Sequence, residues 1–291
     1  MRMGIGVVGV VDTMAVGMIT RDSIKQRGVG VLTLVLRRLF SEVPNISRII
    51  ISDASRDGTL RFIAGYAMKH GVEVIPITDN VGSRAFARSQ VVNTFLNQTS
   101  DGYLLFLDDD AVLRRGWWVE TVNLLNSGCN AVWGVNWDYH PGRMRVLAQL
   151  GLNPLDFYIE AFRRRGGTHD LLLTRDAVVK LARHLPIPTW LHIYEDAYIK
   201  NALESEGIRI CINKTGIIHM SMNSSGGYLG NIIDAGVRSL ARVRIITTAR
   251  RIYGIDEYGI YRDAELTPNI HDPYHLLYAI LLKIYSWLVS L

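Results

Sequence analysis

Three consecutive aspartates, Asp108, Asp109 and Asp110, directly follow the apolar residues 104–107. Adjacent carboxylates repel one another, so all three ionise most easily beside a divalent cation. Carboxylate oxygens suit hard ions such as Mg²⁺ and Mn²⁺, which also bind phosphate oxygens. For an isolated triplet the alternative is a solvated turn whose aspartate caps the next helix. The other polar clusters of the chain favour the metal site.

Short apolar segments alternate with helical patterns through the first half of the chain. We expect strands at 16–20, 48–52, 72–77 and 103–107, with helices around 31–40, 60–70 and 84–96 between them. This alternation, with short connections, predicts a parallel sheet covered by helices on both faces. Ligands of such sheets bind beyond the carboxyl ends of the strands. The polar clusters at 20–22, 53–55, 79–80 and 108–110 all lie at that edge.

The pattern loosens after Asp110. We expect helices at 117–126, 176–184 and 196–206, and strands at 131–137, 171–174, 208–213 and 216–219, with mostly helical structure beyond 231. Residues 4–9 match the G-x-G-x-x-G spacing of dinucleotide-binding folds, but only three residues precede them. Since that motif acts by following a strand and opening a helix, we interpret residues 4–9 as a glycine-containing strand.

Composition is typical of a globular protein. The 291 residues are 48% hydrophobic and 20% charged, which is enough for one large domain or two small ones. The net charge of +5 suits a phosphorylated substrate, an anionic membrane surface or an ordinary protein. The chain has no block of basic residues with interleaved aromatic residues, so we do not expect it to bind nucleic acid.

The two cysteines, Cys129 and Cys211, form no CxxC pair. We therefore expect neither a thiolate zinc site nor a disulfide framework, and we expect the reducing environment of the cytoplasm.

The C-terminal residues 274–291 have an amphipathic helical pattern. One face carries Leu277, Leu281, Ile284, Leu288 and Leu291. No apolar segment reaches the roughly 18 residues that a membrane helix needs. The helix is therefore expected to dock on its own domain or on a second subunit, or to lie in a membrane interface.

Five blocks of the chain resemble glycosyltransferase family 2. Residues 51–59 (ISDASRDGT) resemble the family's VDDGSTDGT segment, and residues 79–88 its N-x-G-x-x-x-A-R segment. Residues 105–110 with 116–118 resemble FLDDD…PGW, whose first and third aspartates form the DxD motif. Residues 194–196 with 201–203 resemble the ED…RL block, and His219 lies where many members have a late metal-binding histidine. Together these blocks span about residues 16–220 in the family's order.

The resemblance implies a GT-A-like α/β fold, with a Rossmann-like, mostly parallel sheet flanked by helices. We expect a catalytic domain at 1–230, divided into a donor half at 1–110 and an acceptor half at 111–230, and a helical extension at 231–291. The implied activity is metal-dependent transfer of a sugar from a nucleoside-diphosphate sugar to a hydroxyl, with inversion. The alternatives are a retaining GT-A enzyme and an inactive nucleotide-sugar-binding protein. A sugar-phosphate nucleotidyltransferase would need a Gly-rich loop with Arg and Lys, which residues 4–9 lack.

Most residues expected to bind the donor lie in the same blocks, and two more, Thr20 and Arg21, end the first strand and could contact the base. The expected set is Thr20, Arg21, Asp53, Ser55, Asn80, Arg88, Asp108 and Asp109. Asp53 can accept hydrogen bonds from a nucleobase or ribose, and Arg88 is either a diphosphate or base contact or a surface charge. Arg21 and Asp22 stand where the family commonly has an aromatic residue and Asn, so the base of the donor stays open.

The expected metal ligands are Asp108, Asp110 and His219, with Mg²⁺ or Mn²⁺ as the cofactor. Asp196 is the expected general base, with Glu195 as the alternative. The alternative to a catalytic role is a structural one. Acidic residues in the first turn stabilise a helix through its dipole, by about 0.3–1 kcal/mol each.

The acceptor side is less defined by the sequence. We expect Trp117 and Trp118 to supply a core anchor and a wall near the acceptor. The arginine-bearing residues 139–165 either line a groove for an anionic acceptor or form a solvated surface, and the turn at 166–170 resembles the family's acceptor-site turn loosely. The acceptor, whether glycan, lipid or small molecule, stays open.

Overall fold

The computed structural model describes residues 13–138, 155–156, 159, 166–191 and 195–220. The strands are β1 Met14–Thr20, β2 Ile46–Asp53, β3 Glu73–Thr78, β4 Tyr103–Phe106, β5 Ala111–Leu113, β6 Ala131–Asp138, β7 Leu172–Thr174 and β8 Ile210–His219. The helices are α1 Ser23–Arg27, α2 Val29–Glu42, α3 Thr59–Lys69, α4 Arg84–Gln98, α5 Trp117–Asn126, α6 Arg175–Ala182 and α7 Glu195–Ser205. The expected N-terminal strand, most of the arginine-bearing segment and the C-terminal helical extension lie outside the described residues.

The strands form one mixed sheet in the order β3-β2-β1-β4-β7-β6-β8-β5. The four strands β1 to β4 run parallel, as the strand–helix alternation predicts. β7 is antiparallel to both β4 and β6, and β8 is parallel to β6. Two reversals restore the original direction, so β6 and β8 run parallel to β1 to β4. The expected α/β fold with a mostly parallel sheet is confirmed.

Each strand buries alternate side chains on opposite faces of the sheet. In β4 and just after it, Leu104 and Phe106 join the core on one face, and Leu105 and Leu107 join the core on the other. β1 contributes Gly17 beneath α4, where an added Cβ would lie 2.5 Å from a methyl group of Val91. The glycine therefore lets α4 pack close to the sheet.

The main differences from the expected elements concern α1, β5 and β8, and a short 3-10 helix at Thr189–Leu191 was not expected either. α1 and β5 were not expected, since each has only a few residues and no readable period. The two strands expected at 208–213 and 216–219 are one strand, β8. Gly216 adopts the left-handed conformation at φ 59°, and the register with β6 shifts there, so β8 continues through a bulge where a break was expected.

Cys129 and Cys211 form a disulfide, with their Cα atoms 6.0 Å apart. The expectation that the two cysteines stay unpaired was therefore wrong. They lie 82 positions apart, and they meet because β6, which follows Cys129, pairs with β8, which contains Cys211. The bond removes the argument for a reducing compartment. Among the described residues, no helix combines the length and apolarity that crossing a membrane requires.

Candidate active site

Strand direction brings the predicted polar residues to one edge of the sheet. Thr20 and Asp53 end the parallel strands β1 and β2, and Asp108 follows β4. His219 ends β8, which runs the same way. β7 and β5 run the opposite way, so the turn before β7 and the aspartates before β5 start at this edge too. This edge is where ligands bind in open α/β sheets.

Asp108, Asp110 and His219 converge there. Each offers one ligand atom, and the three atoms all lie within 4.8 Å of one another. Oδ1 of Asp110 lies 3.0 Å from Nε2 of His219, and main-chain pairing of Ala111 with His219 holds the two residues side by side. Two carboxylates and an imidazole suit Mn²⁺ or Mg²⁺ with open positions for phosphate oxygens. The residues therefore fit the metal that the DxD resemblance implies.

Arg88 is buried beside this group. Only 1% of the residue is exposed, its Nη2 lies 2.5 Å from Oδ1 of Asp108, and its guanidinium lies over the ring of Phe106. Although burial raises the pKa of Asp108, the charge of Arg88, with further contributions from His169 and His219, lowers it to about 2. Among the described residues, neither Nε nor Nη1 of Arg88 has a hydrogen-bond partner. A buried cation with unused donors is suited to an anionic ligand.

The loops after β1 and β2 are bonded to each other. Thr20 donates from its hydroxyl to Asp53, with an O–O distance of 2.5 Å, and the backbone N–H of Asp22 donates to the hydroxyl of Ser55 at 2.8 Å. Arg21 is exposed and reaches toward the loop after β3, where a Cβ on Gly82 would lie 3.6 Å from its Nη1. Three loops thus meet at the expected nucleoside position.

Asn80 is exposed at the tip of the loop after β3. The loop is shaped by Asp79, whose Oδ1 accepts hydrogen bonds from the N–H groups of Val81 and Gly82. Gly82 has a φ of 67°, a conformation that favours glycine. Asp79 therefore shapes this loop, and Asn80 is exposed next to it.

Asp109 is nearly fully buried, and its partners lie in α1. Its carboxylate accepts a hydrogen bond from the hydroxyl of Ser23 and pairs with Nη1 of Arg27 at 2.5 Å. Burial raises its pKa to about 6 against the opposing charge of Arg27. Both carboxylate oxygens are thus engaged by α1, whereas the sequence predicts contact with the donor.

Glu195 and Asp196 start α7. Glu195 is 4% exposed, and its Oε2 has no hydrogen-bond partner among the described residues. Burial and the neighbouring carboxylate of Asp196 raise the pKa of Glu195 to about 8, against the charges of Arg84 and Arg88. Asp196 is partly exposed, and its Oδ1 accepts a hydrogen bond from the N–H of Ala197.

The turn before β7 is built around a fully buried aspartate. Asp170 accepts hydrogen bonds from the indole N–H of Trp117 at 2.8 Å and from the N–H of Gly134 at 3.1 Å. Burial raises the pKa of Asp170 to about 7 despite these two bonds. Next to it, the carbonyl of His169 accepts the N–H of Asp108, so this turn is attached to the aspartate cluster. Trp117 is fully buried, as expected of a core anchor.

Sequence reasoning missed Ser23, Arg27 and the structural role of Asp170. Arg27 and Ser23 lie in a five-residue helix that has no readable pattern. Asp170 falls in the turn at 166–170 that resembles the family's acceptor-site turn, but its partners Trp117 and Gly134 lie 53 and 36 positions away. The one local signal is the glycine at position 134. The structure explains this glycine, because a Cβ there would lie 1.8 Å from Oδ2 of Asp170.

The profile of glycosyl transferase family 2 matches residues 29–174, half of the chain. These residues include Asp53, Arg88 and the three aspartates. No curated protein shows a significant match to the chain.

Solved structures share the fold at low identity. A mannosyltransferase of Pyrobaculum calidifontis, solved with GDP-Man and Mn²⁺, has a TM-score of 0.57 at 16% identity, over 95% of this chain and 75% of that one. S. aureus TarS (residues 1–349) has a TM-score of 0.52 at 13% identity, over 94% and 91%. Glucosyl-3-phosphoglycerate synthase of Mycobacterium tuberculosis, solved with Mn²⁺, UDP and phosphoglyceric acid, has a TM-score of 0.50 at 15% identity, over 85% and 81%. The chain therefore belongs to glycosyltransferase family 2 and is a nucleotide-sugar-dependent glycosyltransferase with the GT-A fold.

Proposed function

We propose that this chain transfers a sugar from a nucleoside-diphosphate sugar to a hydroxyl acceptor, with Mn²⁺ or Mg²⁺ as its cofactor and with inversion at the anomeric carbon. The observation that carries the proposal is the convergence of Asp108, Asp110 and His219 within 4.8 Å, beside a buried arginine with unused donors. The neighbours solved with Mn²⁺ and nucleotide ligands agree with this choice of cofactor.

Donor binding divides among three groups of residues. The bonded loops with Thr20, Asp53 and Ser55 take the base and ribose, and Asn80 and Arg21 flank them. Asp108, Asp110 and His219 would hold the ion, which would supply Lewis-acid neutralisation of the diphosphate. Nε and Nη1 of Arg88 are available to donate to phosphate oxygens, because Nη2 alone is used by Asp108.

The transfer step uses the start of α7. The acceptor oxygen attacks the anomeric carbon, and Asp196 takes the hydroxyl proton as that bond forms. The bond between the anomeric carbon and the diphosphate oxygen breaks, and the nucleoside diphosphate leaves with the electron pair. Glu195 is less suited to be the base, because a carboxyl group with a pKa of about 8 is mostly protonated at neutral pH. Asp196 lies beside the turn before β7, since a Cβ on Gly166 would lie 2.8 Å from its carbonyl oxygen.

Metal dependence is the first prediction. A thermal-shift screen of UDP- and GDP-linked sugars with Mn²⁺ identifies a donor, and its slow hydrolysis should stop with chelator and return with Mn²⁺ or Mg²⁺. Asp110→Ala should weaken binding of the matching nucleoside diphosphate in the presence of Mn²⁺ and leave binding in chelator nearly unchanged, because Asp110 would act on the phosphates only through a bound ion.

Asp176→Ala is the control for this experiment. Asp176 is an exposed helix carboxylate that pairs with Lys180 and lies in α6. Its replacement should change neither binding measurement. Activity that persists unchanged in chelator would exclude the metal-dependent mechanism.

A further inference from the structure

The short helix α1 connects the aspartate cluster to the expected nucleoside loops. From this helix, Nη1 of Arg27 lies 2.5 Å from Oδ1 of Asp109, and Nε of Arg27 lies 3.0 Å from Oδ2 of Asp110. The hydroxyl of Ser23 donates to the other oxygen of Asp109. Arg27 is 22% exposed at its side chain, whereas the two aspartates are almost fully buried. One guanidinium thus holds two adjacent carboxylates that would otherwise repel each other.

α1 is itself held in place by the loop after β2 and by the first residue of α3. The N–H of Ile24 donates to the hydroxyl of Thr59 at 3.2 Å, and the N–H of Lys25 donates to Oδ2 of Asp57 at 2.7 Å. Five residues are too few for a stable helix alone. These bonds fix the position of α1, and therefore the position from which Arg27 extends.

The two oxygens of Asp110 have separate partners. Oδ2 is paired with Arg27, and Oδ1 lies 3.0 Å from Nε2 of His219 on the side of the metal ligands. A carboxylate bonded at one oxygen cannot turn freely about its terminal torsion. The Arg27 contact therefore keeps Oδ1 directed at the metal position.

We propose that Arg27 is a positioning residue that holds the metal ligand Asp110 through Oδ2, and that Asp109 and Ser23 fix its guanidinium from the other side. The proposal rests on the proposed metal-dependent function. It differs from a purely electrostatic effect in sign, because removing a positive charge next to a cation site should by itself tighten cation binding. A positioning residue has the opposite effect, since losing it leaves the ligand misplaced.

The experiment titrates the full chain with Mn²⁺ alone, in the absence of nucleotide, and measures bound ion by electron paramagnetic resonance. Arg27→Gln should weaken Mn²⁺ binding by about 10- to 100-fold, the usual effect of losing a partner of a metal ligand. Arg27→Lys keeps the charge but lacks the planar fork that reaches both carboxylates, so it should give an intermediate loss. Ser23→Ala should give a smaller loss, because Ser23 contacts only Asp109.

Arg48→Gln is the matched control. Arg48 is 21% exposed and pairs at 2.8 Å with Asp101, which is 1% exposed, at the opposite edge of the sheet. Its replacement disrupts a similar ion pair and should leave Mn²⁺ affinity unchanged. Thermal unfolding in chelator monitors the stability of all variants, and the lysine and serine variants test the proposal even if the glutamine variant does not fold.

Three results would overturn the inference. Unchanged or tighter Mn²⁺ binding by Arg27→Gln would show that Arg27 does not position Asp110 for the metal. An equal loss in Arg48→Gln would show a general effect of destabilisation. Failure of the unaltered chain to bind Mn²⁺ would remove the metal site itself, and this result separates a failure of the proposed function from a failure of the role of Arg27.

Discussion

The carboxylates at this edge of the sheet differ in charge state because their nearest partners differ. Asp108 lies against Arg88, and its pKa of about 2 keeps it ionised at any physiological pH. Glu195 is buried beside another carboxylate, and its pKa of about 8 keeps it mostly neutral at pH 7. Similar side chains are therefore suited to different tasks, with Asp108 as a ligand for cations and Glu195 as a hydrogen-bond donor.

Asp196→Asn tests the assignment of the general base. Asparagine keeps the size of the side chain but cannot accept the proton, so transfer should fall by about 10²-fold or more. Donor affinity should change little, since it depends on Asp53, Arg88 and the metal ligands. Single-turnover transfer and equilibrium binding of the donor measure the two effects separately.

Glu195→Gln is the paired control and should reduce transfer less than Asp196→Asn does.

Glu195→Gln should also change how the stability of the folded protein depends on pH. The pKa of Glu195 is raised in the folded state, so between about pH 4.5 and 8 the folded protein binds more protons than the unfolded one, and stability falls as pH rises. Glutamine removes this dependence, and its melting temperature relative to the unaltered chain should increase from pH 5 to pH 8. A larger loss of transfer in Glu195→Gln than in Asp196→Asn would instead make Glu195 the base.

The packing of β6 against the turn before β7 depends on a missing side chain. Gly134 donates its N–H to Asp170 and lies so close that a Cβ would be 1.8 Å from Oδ2 of Asp170 and 3.0 Å from Cα of Gly216. The same aspartate anchors Trp117 at the start of α5. One glycine thus allows β6, α5 and the turn at His169 to share a single buried carboxylate.

Gly134→Ala should lower the free energy of unfolding by more than about 3 kcal/mol. Asp170 must move, and each buried polar group that then loses its partner costs roughly 1–3 kcal/mol. Gly65→Ala is the contrasting variant. Gly65 lies in α3, where an added Cβ meets nothing within 4 Å, and alanine there should stabilise by about 0.5–1 kcal/mol. Urea unfolding measures the free energy of unfolding of both variants. An equal change in the two variants would contradict the close packing at Gly134.

At the scale of the whole molecule, the disulfide closes a loop that includes most of the described residues after β5. Cys129 and Cys211 are 82 positions apart, and β6, β7, α6 and α7 lie between them. In the chain-entropy account, cross-linking a loop of this length stabilises the folded state by up to about 4.5 kcal/mol. The loop also contains the turn at His169 and the start of α7.

Reduction should therefore lower the melting temperature of the unaltered chain, and the double variant Cys129→Ala with Cys211→Ala should melt lower and be insensitive to reductant. Thiol titration in denaturant without reductant should find no free thiol. Two reactive thiols in that titration, together with a melting temperature that reductant does not change, would contradict the disulfide.

The local sequence determined the elements whose signal is local. The apolar runs predicted β1 to β4, the helical periods predicted α2 to α4, and the strand–helix alternation predicted their parallel order. Because parallel strands end at one edge, the same pattern predicted that Asp53 and Asp108 would both lie at that edge. The family resemblance added His219 and the start of α7, and the family and its fold are confirmed.

Only the tertiary structure decided the contacts between residues that are distant in the chain. Arg27 meets Asp109 across 82 positions, Asp170 meets Trp117 across 53, and Cys129 meets Cys211 across 82. The expectation that the two cysteines form no disulfide was wrong for this reason. The expected break at residues 214–215 was wrong too, because pairing with β6 continues through a bulge there. The spacing of apolar residues shows which face of a single helix or strand is buried. Which distant residue lies opposite depends on strand order and register, and these are set only when the whole sheet has formed.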